Sequence, residues 1–387
     1  MRVLYLTDSL SDLDGVGRYT MRLVSALEAL EPGFEVEVLL ARKHRPTSSA
    51  VPGHWKVEVA LPPDYYFYMT PARFWANTLA ALPRVVAAAR RAALVHAIKD
   101  FPHNWLARTA ARIAGKPCVA TAHGTYTIQP LRDPRHSRRA RRTYAALDHM
   151  ISVSAYTRRR LLEDLAGAPP GPDQVTVIPN AVEAGHYVEP RALEARSWHG
   201  KRFTLGIGEI KERKGHHLAL EAWARVARED PELHHFLVGK ATGDAYQDSL
   251  RRLAEEAGAG ERLHFLGNID EDEKIDLLQR AEVFLHTPVT AADGGFEGFG
   301  IVYLEAAASG TPAIGTLDCG AEDAIRDGET GFLVAQDASA VEVRLRELLA
   351  DEDLRARIGA AGRAHAERSP WAENAQRVLE IYRGVLA

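Results

Sequence analysis

Over the first 180 residues the hydrophobic positions switch repeatedly between two periods. Val3–Thr7 is a short apolar run with β-branched residues, and Asp8–Gly17 reads as a loop with two glycines. From Tyr19 to Leu30 the apolar residues Met21, Leu23, Val24, Leu27 and Leu30 recur at helical spacing. Phe34–Leu40 alternates as a strand does, and further strands are expected at Trp55–Val59, Leu94–Ala97, Cys118–Ala122, His149–Val153 and Val175–Ile178. Helical patterns lie between most of them, so the alternation predicts a parallel sheet covered on both faces.

The pattern then restarts. Strands are expected at Phe203–Ile207, His234–Val238, Leu263–Leu266, Val283–His286, Thr311–Ile314 and Phe332–Val334. Helices fit Gly215–Ala227, Tyr246–Ala257, Asp270–Arg280, Gly300–Ala308 and Ser339–Leu349. Between the two series, residues 181–200 break the periodicity and read as a linker. Ser369-Pro370-Trp371 opens a last amphipathic helix, with Trp371, Ala375, Val378, Leu379 and Tyr382 on one face. No repeat of a few tens of residues is visible, which excludes a solenoid.

A chain of 387 residues exceeds what one core holds, since cores stop growing near roughly 250–300 residues. Two cysteines, Cys118 and Cys319, support neither a disulfide framework nor a zinc cluster and suit a reducing compartment. The first residues are too short an apolar run for a signal peptide, and no stretch approaches the roughly 20 apolar residues that span a bilayer. A cytoplasmic protein is therefore expected, with peripheral contact at the inner face of the membrane an option. Charge divides unevenly: residues 1–180 hold 24 Lys+Arg and 15 Asp+Glu, a balance of +9, while the remainder holds 24 and 37, a balance of −13. The first half is thus suited to something anionic.

Chemistry concentrates in Gly294–Pro312. A glycine-rich loop carrying Glu297 opens an apolar helix in which Glu305 lies. Backbone N–H groups at Phe299, Gly300 and Ile301 should point out of the helix start, ready for an anion. A carboxylate at Glu305 could accept hydrogen bonds from ribose hydroxyls; the plain alternative, a solvated helix residue, fits poorly with Leu304, Ala306, Ala307 and Ala308 around it. Earlier, Gly15-Val16-Gly17 follows the first strand; as a dinucleotide fingerprint it lacks the third glycine, where Thr20 stands, and a plain tight turn is its alternative. Lys211-Glu212-Arg213-Lys214-Gly215 follows the first strand of the second series and gathers three cations at one strand end. His123 ends the strand Cys118–Ala122, where a structural role is the ordinary reading of a lone histidine, and Ser154 reads equally well as a helix cap. The pairs His216-His217 and His234-His235 are poorly spaced for one ion, so no metal site is expected. Arg132, Arg135, Arg138, Arg139, Arg141 and Arg142 form a basic run that is either a solvated face or a surface for anionic lipid or a phosphorylated acceptor. Few aromatics interleave with it, so nucleic acid is not expected as a partner. Tyr65-Tyr66-Phe67-Tyr68-Met69, with Phe74-Trp75, forms an aromatic cluster that is either buried or in contact with acceptor or membrane.

The segment from Gly294 to Pro312 resembles the two-glutamate signature of the retaining glycosyltransferases of family four. Val177–Val182 and Asp327–Val334 extend that similarity over nearly the whole chain. The resemblance implies an α/β protein of GT-B fold, with two Rossmann-like domains facing each other across a donor/acceptor cleft. The expected domains are 1–182, completed by a C-terminal helix over 370–387, and 183–369. It implies a nucleoside-diphosphate sugar as donor, UDP- or GDP-linked, a glycan, lipid or small-molecule hydroxyl as acceptor, retention of configuration and no metal or other cofactor. By the same resemblance Glu305 binds the ribose, Glu297 and His123 meet the transferred sugar, and Lys214 meets the diphosphate. Gly15, Val16 and Gly17 would face donor and acceptor. The family's usual arginine after the first strand's glycine is replaced by Glu209, so Arg213 or Arg18 would supply its charge. A non-catalytic nucleotide-sugar-binding relative is the alternative this substitution suggests. A nicotinamide oxidoreductase is a poorer fit, because Leu39-Leu40-Ala41-Arg42 puts no acid at the end of the second strand.

Overall fold

The computed structural model describes residues 1–42, 51–63, 70–240, 243 and 245–387. The chain divides into two compact units, residues 1–180 with 371–387, and residues 181–370.

The first unit runs β1 (Arg2–Thr7), α1 (Gly15–Leu30), β2 (Glu35–Ala41), β3 (Lys56–Leu61), α2 (Pro71–Arg91), β4 (Leu94–Ala97), α3 (His103–Ala114), β5 (Cys118–Ala122), α4 (Thr125–Arg132), α5 (Ser137–Tyr144), β6 (His149–Ser152), α6 (Ala155–Leu165) and β7 (Val175–Val177). Its strands form a parallel sheet in the order β3-β2-β1-β4-β5-β6-β7. Val3, Leu4, Tyr5 and Leu6 are wholly buried, as a strand covered on both faces requires.

The second unit runs β8 (Arg202–Ile207), α7 (His216–Ala227), β9 (Leu233–Val238), α8 (Ala245–Glu256), β10 (Leu263–Gly267), α9 (Glu271–Arg280), β11 (Val283–Leu285), α10 (Ile301–Ser309), β12 (Ala313–Thr316), β13 (Gly331–Val334), α11 (Ala338–Ala350) and α12 (Glu352–Glu367). The sheet order is β10-β9-β8-β11-β12-β13, again parallel. In each sheet the order reverses between two adjacent strands, β1 and β4 in the first, β8 and β11 in the second. Such reversals open a crevice beyond the carboxyl ends of the strands, where α/β sheets bind ligands.

The final helix, α13 (Trp371–Leu386), returns to pack on α1. Its Tyr382 hydroxyl lies 2.5 Å from His96 Nδ1 and donates to the Tyr5 hydroxyl at 3.3 Å. Among the described residues no helix is long and apolar enough to cross a membrane.

One sequence expectation changes. The supposed loop Asp8–Gly17 ends earlier, because Asp14 caps α1: its carboxylate accepts the Gly17 N–H at 2.7 Å, which puts Gly15, Val16 and Gly17 in the first helical turn. Residues 181–200, expected as a linker, hold no strand or α-helix and are anchored to the second unit: Trp198 is buried with its indole N–H on Asp276 at 2.8 Å, and Arg196 pairs with Glu273 at 2.8 Å. Tyr65–Met69 of the aromatic cluster lie outside the described residues; of its remainder, Phe74 is buried on α2 and Trp75 is exposed.

Candidate functional site

The reversal between β8 and β11 gathers most of the residues singled out in the second half. After β8 the chain makes a short turn, Glu212–Lys214, and enters α7 through Gly215. Gly215 has φ +67° and lies so close to the backbone after β11 that a Cβ there would sit 1.7 Å from the Thr287 carbonyl oxygen. The Thr287 hydroxyl in turn donates to the Gly215 carbonyl at 2.9 Å. This contact admits only glycine, and it delivers Lys214 to the loop that follows β11.

There Lys214 Nζ donates to Glu297 Oε2. His286, directly after β11, brings Nε2 to 3.4 Å from the same oxygen, and Arg213 lies 4.0 Å from it. Oε1 accepts no hydrogen bond among the described residues, so every donor has gathered on one side of the carboxylate. Burial alone would raise the Glu297 carboxyl, but Lys214, His286 and Arg213 hold it well below the usual carboxylate range. Lys214 is lowered from the ordinary lysine value by burial and by Arg213, with Glu297 opposing. The Glu297 backbone is fixed too, its carbonyl accepting the Gly320 N–H at 2.8 Å.

Gly300 adopts the left-handed conformation and caps α10, so Phe299, Gly300 and Ile301 are the residues at its start. Their N–H groups meet no acceptor among the described residues, which leaves an anion-attracting helix end beside Glu297. Inside α10, Glu305 is buried and is not a bare carboxylate: Lys274 of α9 lies 3.1 Å from its Oε2. Lys274 also meets Glu271 at 2.9 Å and donates to the Tyr187 hydroxyl at 3.3 Å. Glu209, the residue that displaces the family's arginine, is matched by Lys211 at 2.8 Å.

In the first unit the corresponding reversal, between β1 and β4, holds a buried ion pair that the sequence did not single out: Lys99 Nζ to Asp8 Oδ2, 2.6 Å. His123, at the end of the neighbouring β5, packs edge-on to Tyr19 with centroids 4.9 Å apart. Its Nε2 is buried without a hydrogen-bond partner. Burial first and Lys99 second push its pKa down to about 4, so the ring is neutral at pH 7. Gly17 packs so tightly that a Cβ would lie 2.4 Å from the Ser11 carbonyl, whereas a Cβ on Gly15 would meet nothing within 4 Å. With the Gly17 N–H taken by Asp14, only Gly15 and Val16 of the three offer their N–H groups. Arg18 donates to the Asp12 carbonyl. Ser154 is the N-cap of α6, its hydroxyl accepting the Thr157 N–H at 2.9 Å.

The arginine run divides by role. Arg132 pairs with Asp164 at 2.7 Å and Arg135 with Asp133 at 2.7 Å, while Arg141 donates to the carbonyls of Leu165 and Asp164. Arg139 lies over the rings of Trp75, Phe74 and Trp105. Arg138 and Arg142 point to solvent with no ion pair among the described residues.

Sequence reasoning missed His286, Lys274, Lys99 and Asp8. The available signal was a polar residue placed directly after an apolar strand, which marks Asp8 and His286. It could not be weighed without the strand order, which alone shows which strand ends adjoin a reversal.

Residues 13–185 match the family described as Glycosyltransferase Family 4, and residues 193–365 match Glycosyl transferases group 1. A phosphatidyl-myo-inositol mannosyltransferase of Mycobacterium tuberculosis is 31% identical over 72% of this chain and 71% of its own length. A D-inositol 3-phosphate glycosyltransferase of Nocardia farcinica is 29% identical over 97% of this chain and 86% of its own. Among solved structures, Anabaena HepE in complex with UDP and glucose aligns with a TM-score of 0.78 at 20% identity, covering 98% of this chain and 99% of HepE. WaaG, a glycosyltransferase involved in lipopolysaccharide biosynthesis, aligns at 0.72 and 17%, over 99% and 100% of the two chains. With two parallel α/β sheets, each followed through by one of these family matches, the chain belongs to the family-four type of glycosyltransferases and has the GT-B fold.

Proposed function

We propose that this protein transfers a sugar from a nucleoside-diphosphate sugar to an acceptor hydroxyl with retention of configuration and without a metal. The observation that carries the reading is the Glu297 carboxylate, pinned through Oε2 by Lys214 and His286 beside the open start of α10. Positive charge from Lys214, Arg213 and that helix end lies where a departing diphosphate gains negative charge. The bond from the anomeric carbon to the diphosphate oxygen breaks with its electron pair leaving on the phosphate. The acceptor oxygen bonds to the same face of the sugar, and its proton passes to the departing phosphate oxygen. Glu297, through Oε1, takes hydroxyls of the transferred sugar, and Glu305 takes the ribose. His123, at the end of β5, is neutral at pH 7.

The donor is a UDP- or GDP-sugar. HepE was solved with UDP and glucose, and a relative from Mycolicibacterium smegmatis is named as GDP-mannose-dependent. The acceptor is anionic, a lipid or inositol phosphate. This follows the names of the relatives and the balance of the first unit, which stays at +9 because residues 371–387 add two arginines and two glutamates. The protein works at the cytoplasmic face of a membrane when its acceptor is lipid. A non-catalytic role has less support, because Glu209 already has Lys211 as its partner.

A thermal-shift screen with UDP and GDP, then turnover of UDP-glucose and GDP-mannose in EDTA, tests the reading. One nucleoside diphosphate should raise the melting temperature, and its sugar should turn over in EDTA. No shift with either, or activity restored only by magnesium or manganese, sinks it.

A further inference from the structure

We propose that His286 is a positioning residue: its Nε2–H fixes the Glu297 carboxylate through Oε2, so that Oε1 stays aimed at the sugar while Lys214 serves the diphosphate. The inference rests on the transferase reading above and adds a residue to it.

The argument begins with the tautomer. Nε2 faces a carboxylate oxygen at 3.4 Å, and Nδ1 is buried with no partner. A neutral ring with its proton on Nδ1 would set a lone pair against the carboxylate and bury an orphaned N–H. With the proton on Nε2, the ring donates to Glu297 and leaves only an unused acceptor. Burial lowers the ring's pKa, with Lys214 and Arg213 adding to the effect and Glu297 opposing it, so the neutral form is the relevant one.

The ring is also held rigidly. Tyr303 of α10 packs against it with centroids 5.1 Å apart, and the Tyr303 hydroxyl donates to the His286 carbonyl. Phe284 lies nearly parallel at 6.2 Å. Lys214, by contrast, is an ammonium on a four-carbon stem, and its charge is the one a diphosphate would attract. Once it turns to the phosphates, a rigid neutral donor is what keeps Glu297 in place.

The comparison is His286→Leu, which removes the donor, against His286→Gln, whose amide nitrogen falls at the position of Nε2, and His286→Asn, whose amide is one carbon short. Binding of UDP or GDP should be unchanged in all three, since His286 touches the carboxylate meant for the sugar. The turnover number with UDP-glucose or GDP-mannose should fall about ten- to a hundredfold in His286→Leu, the range for losing a hydrogen bond to a charged group, with little change in donor KM. His286→Gln should recover most of the rate. If His286→Leu fails to fold, a faster His286→Gln than His286→Asn still supports the role, and equal rates overturn it. Wild-type turnover in His286→Leu overturns it as well. Nitrogen-15 NMR of the imidazole gives a readout independent of activity: a proton on Nδ1 refutes the proposal outright. Failure of the transferase reading looks different, as a wild type that neither binds a nucleoside diphosphate nor turns over either sugar.

Discussion

Lys274 and Glu305 form a buried ion pair, Nζ to Oε2 3.1 Å, between α9 and α10. Lys274 also meets Glu271 at 2.9 Å, so one ammonium ties both carboxylates to the same place. Lys274→Ala takes that cation from a carboxylate that is 2% exposed and should destabilise the protein by about 3 kcal/mol. Glu305→Ala should weaken nucleoside-diphosphate binding by about 1.5–3 kcal/mol. Urea unfolding and calorimetry measure the two effects; an unchanged urea midpoint in Lys274→Ala, or unchanged affinity in a folded Glu305→Ala, contradicts them.

Lys214→Ala should lower the turnover number about 100- to 1,000-fold, the range for removing one preorganised donor. Glu209→Gln should change it by no more than about threefold, well under 1 kcal/mol, because Lys211 already compensates that carboxylate. Steady-state kinetics on both variants decides the matter. Normal turnover in Lys214→Ala places the diphosphate cation elsewhere, and a large gain in Glu209→Gln shows Glu209 opposing the phosphates after all.

Acid should weaken the fold. His96, His216 and His235 are pushed down to about 3, chiefly by burial, and His123 and His264 to about 4. Unfolding returns each to about 6.5, so between that pH and the folded value the unfolded chain binds the extra proton. Their contribution is full above about pH 6.5 and declines as pH falls toward 3. Buried Asp100, raised to about 7, acts in the opposite sense but accounts for one proton against five. The urea midpoint should drop between pH 7 and pH 5, and His96→Gln should flatten the slope by about 1.4 kcal/mol per pH unit. An unchanged midpoint over that range contradicts the prediction.

The double charge reversal Arg138→Glu with Arg142→Glu should weaken binding to phosphatidylglycerol vesicles, with the difference shrinking as salt is raised. Arg132→Glu is the contrasting variant, since Arg132 is held by Asp164. A wild type that ignores such vesicles at low salt leaves the arginine run as a solvated face.

Much of this architecture is legible in the sequence. Val3–Thr7 and Phe203–Ile207 read as strands because parallel strands buried on both faces are near-continuous apolar runs. The frame around Glu297 and Glu305 reads as a site because two carboxylates in an apolar, glycine-bounded segment have little structural use. Their partners are not legible. Lys274 reaches Glu305 and His286 reaches Glu297 through side-by-side placement of elements, which depends on sheet order and not on spacing. The start of α1 is misread for a local reason: two glycines suggest a loop, but the Asp14 cap overrides their low helical preference.

The bond between His96 and Tyr382 spans 286 positions of the chain. The second unit is one continuous stretch, residues 181–370, and contains no part of α13. The first unit, although its strands come first in the chain, lacks the partner of His96 and Tyr5 until residues 371–386 are present. Completion of the first unit is thus tied to the last helix, and that of the second is not. A purified chain ending at residue 370 should hold a protease-resistant second unit and a first unit that is readily cut.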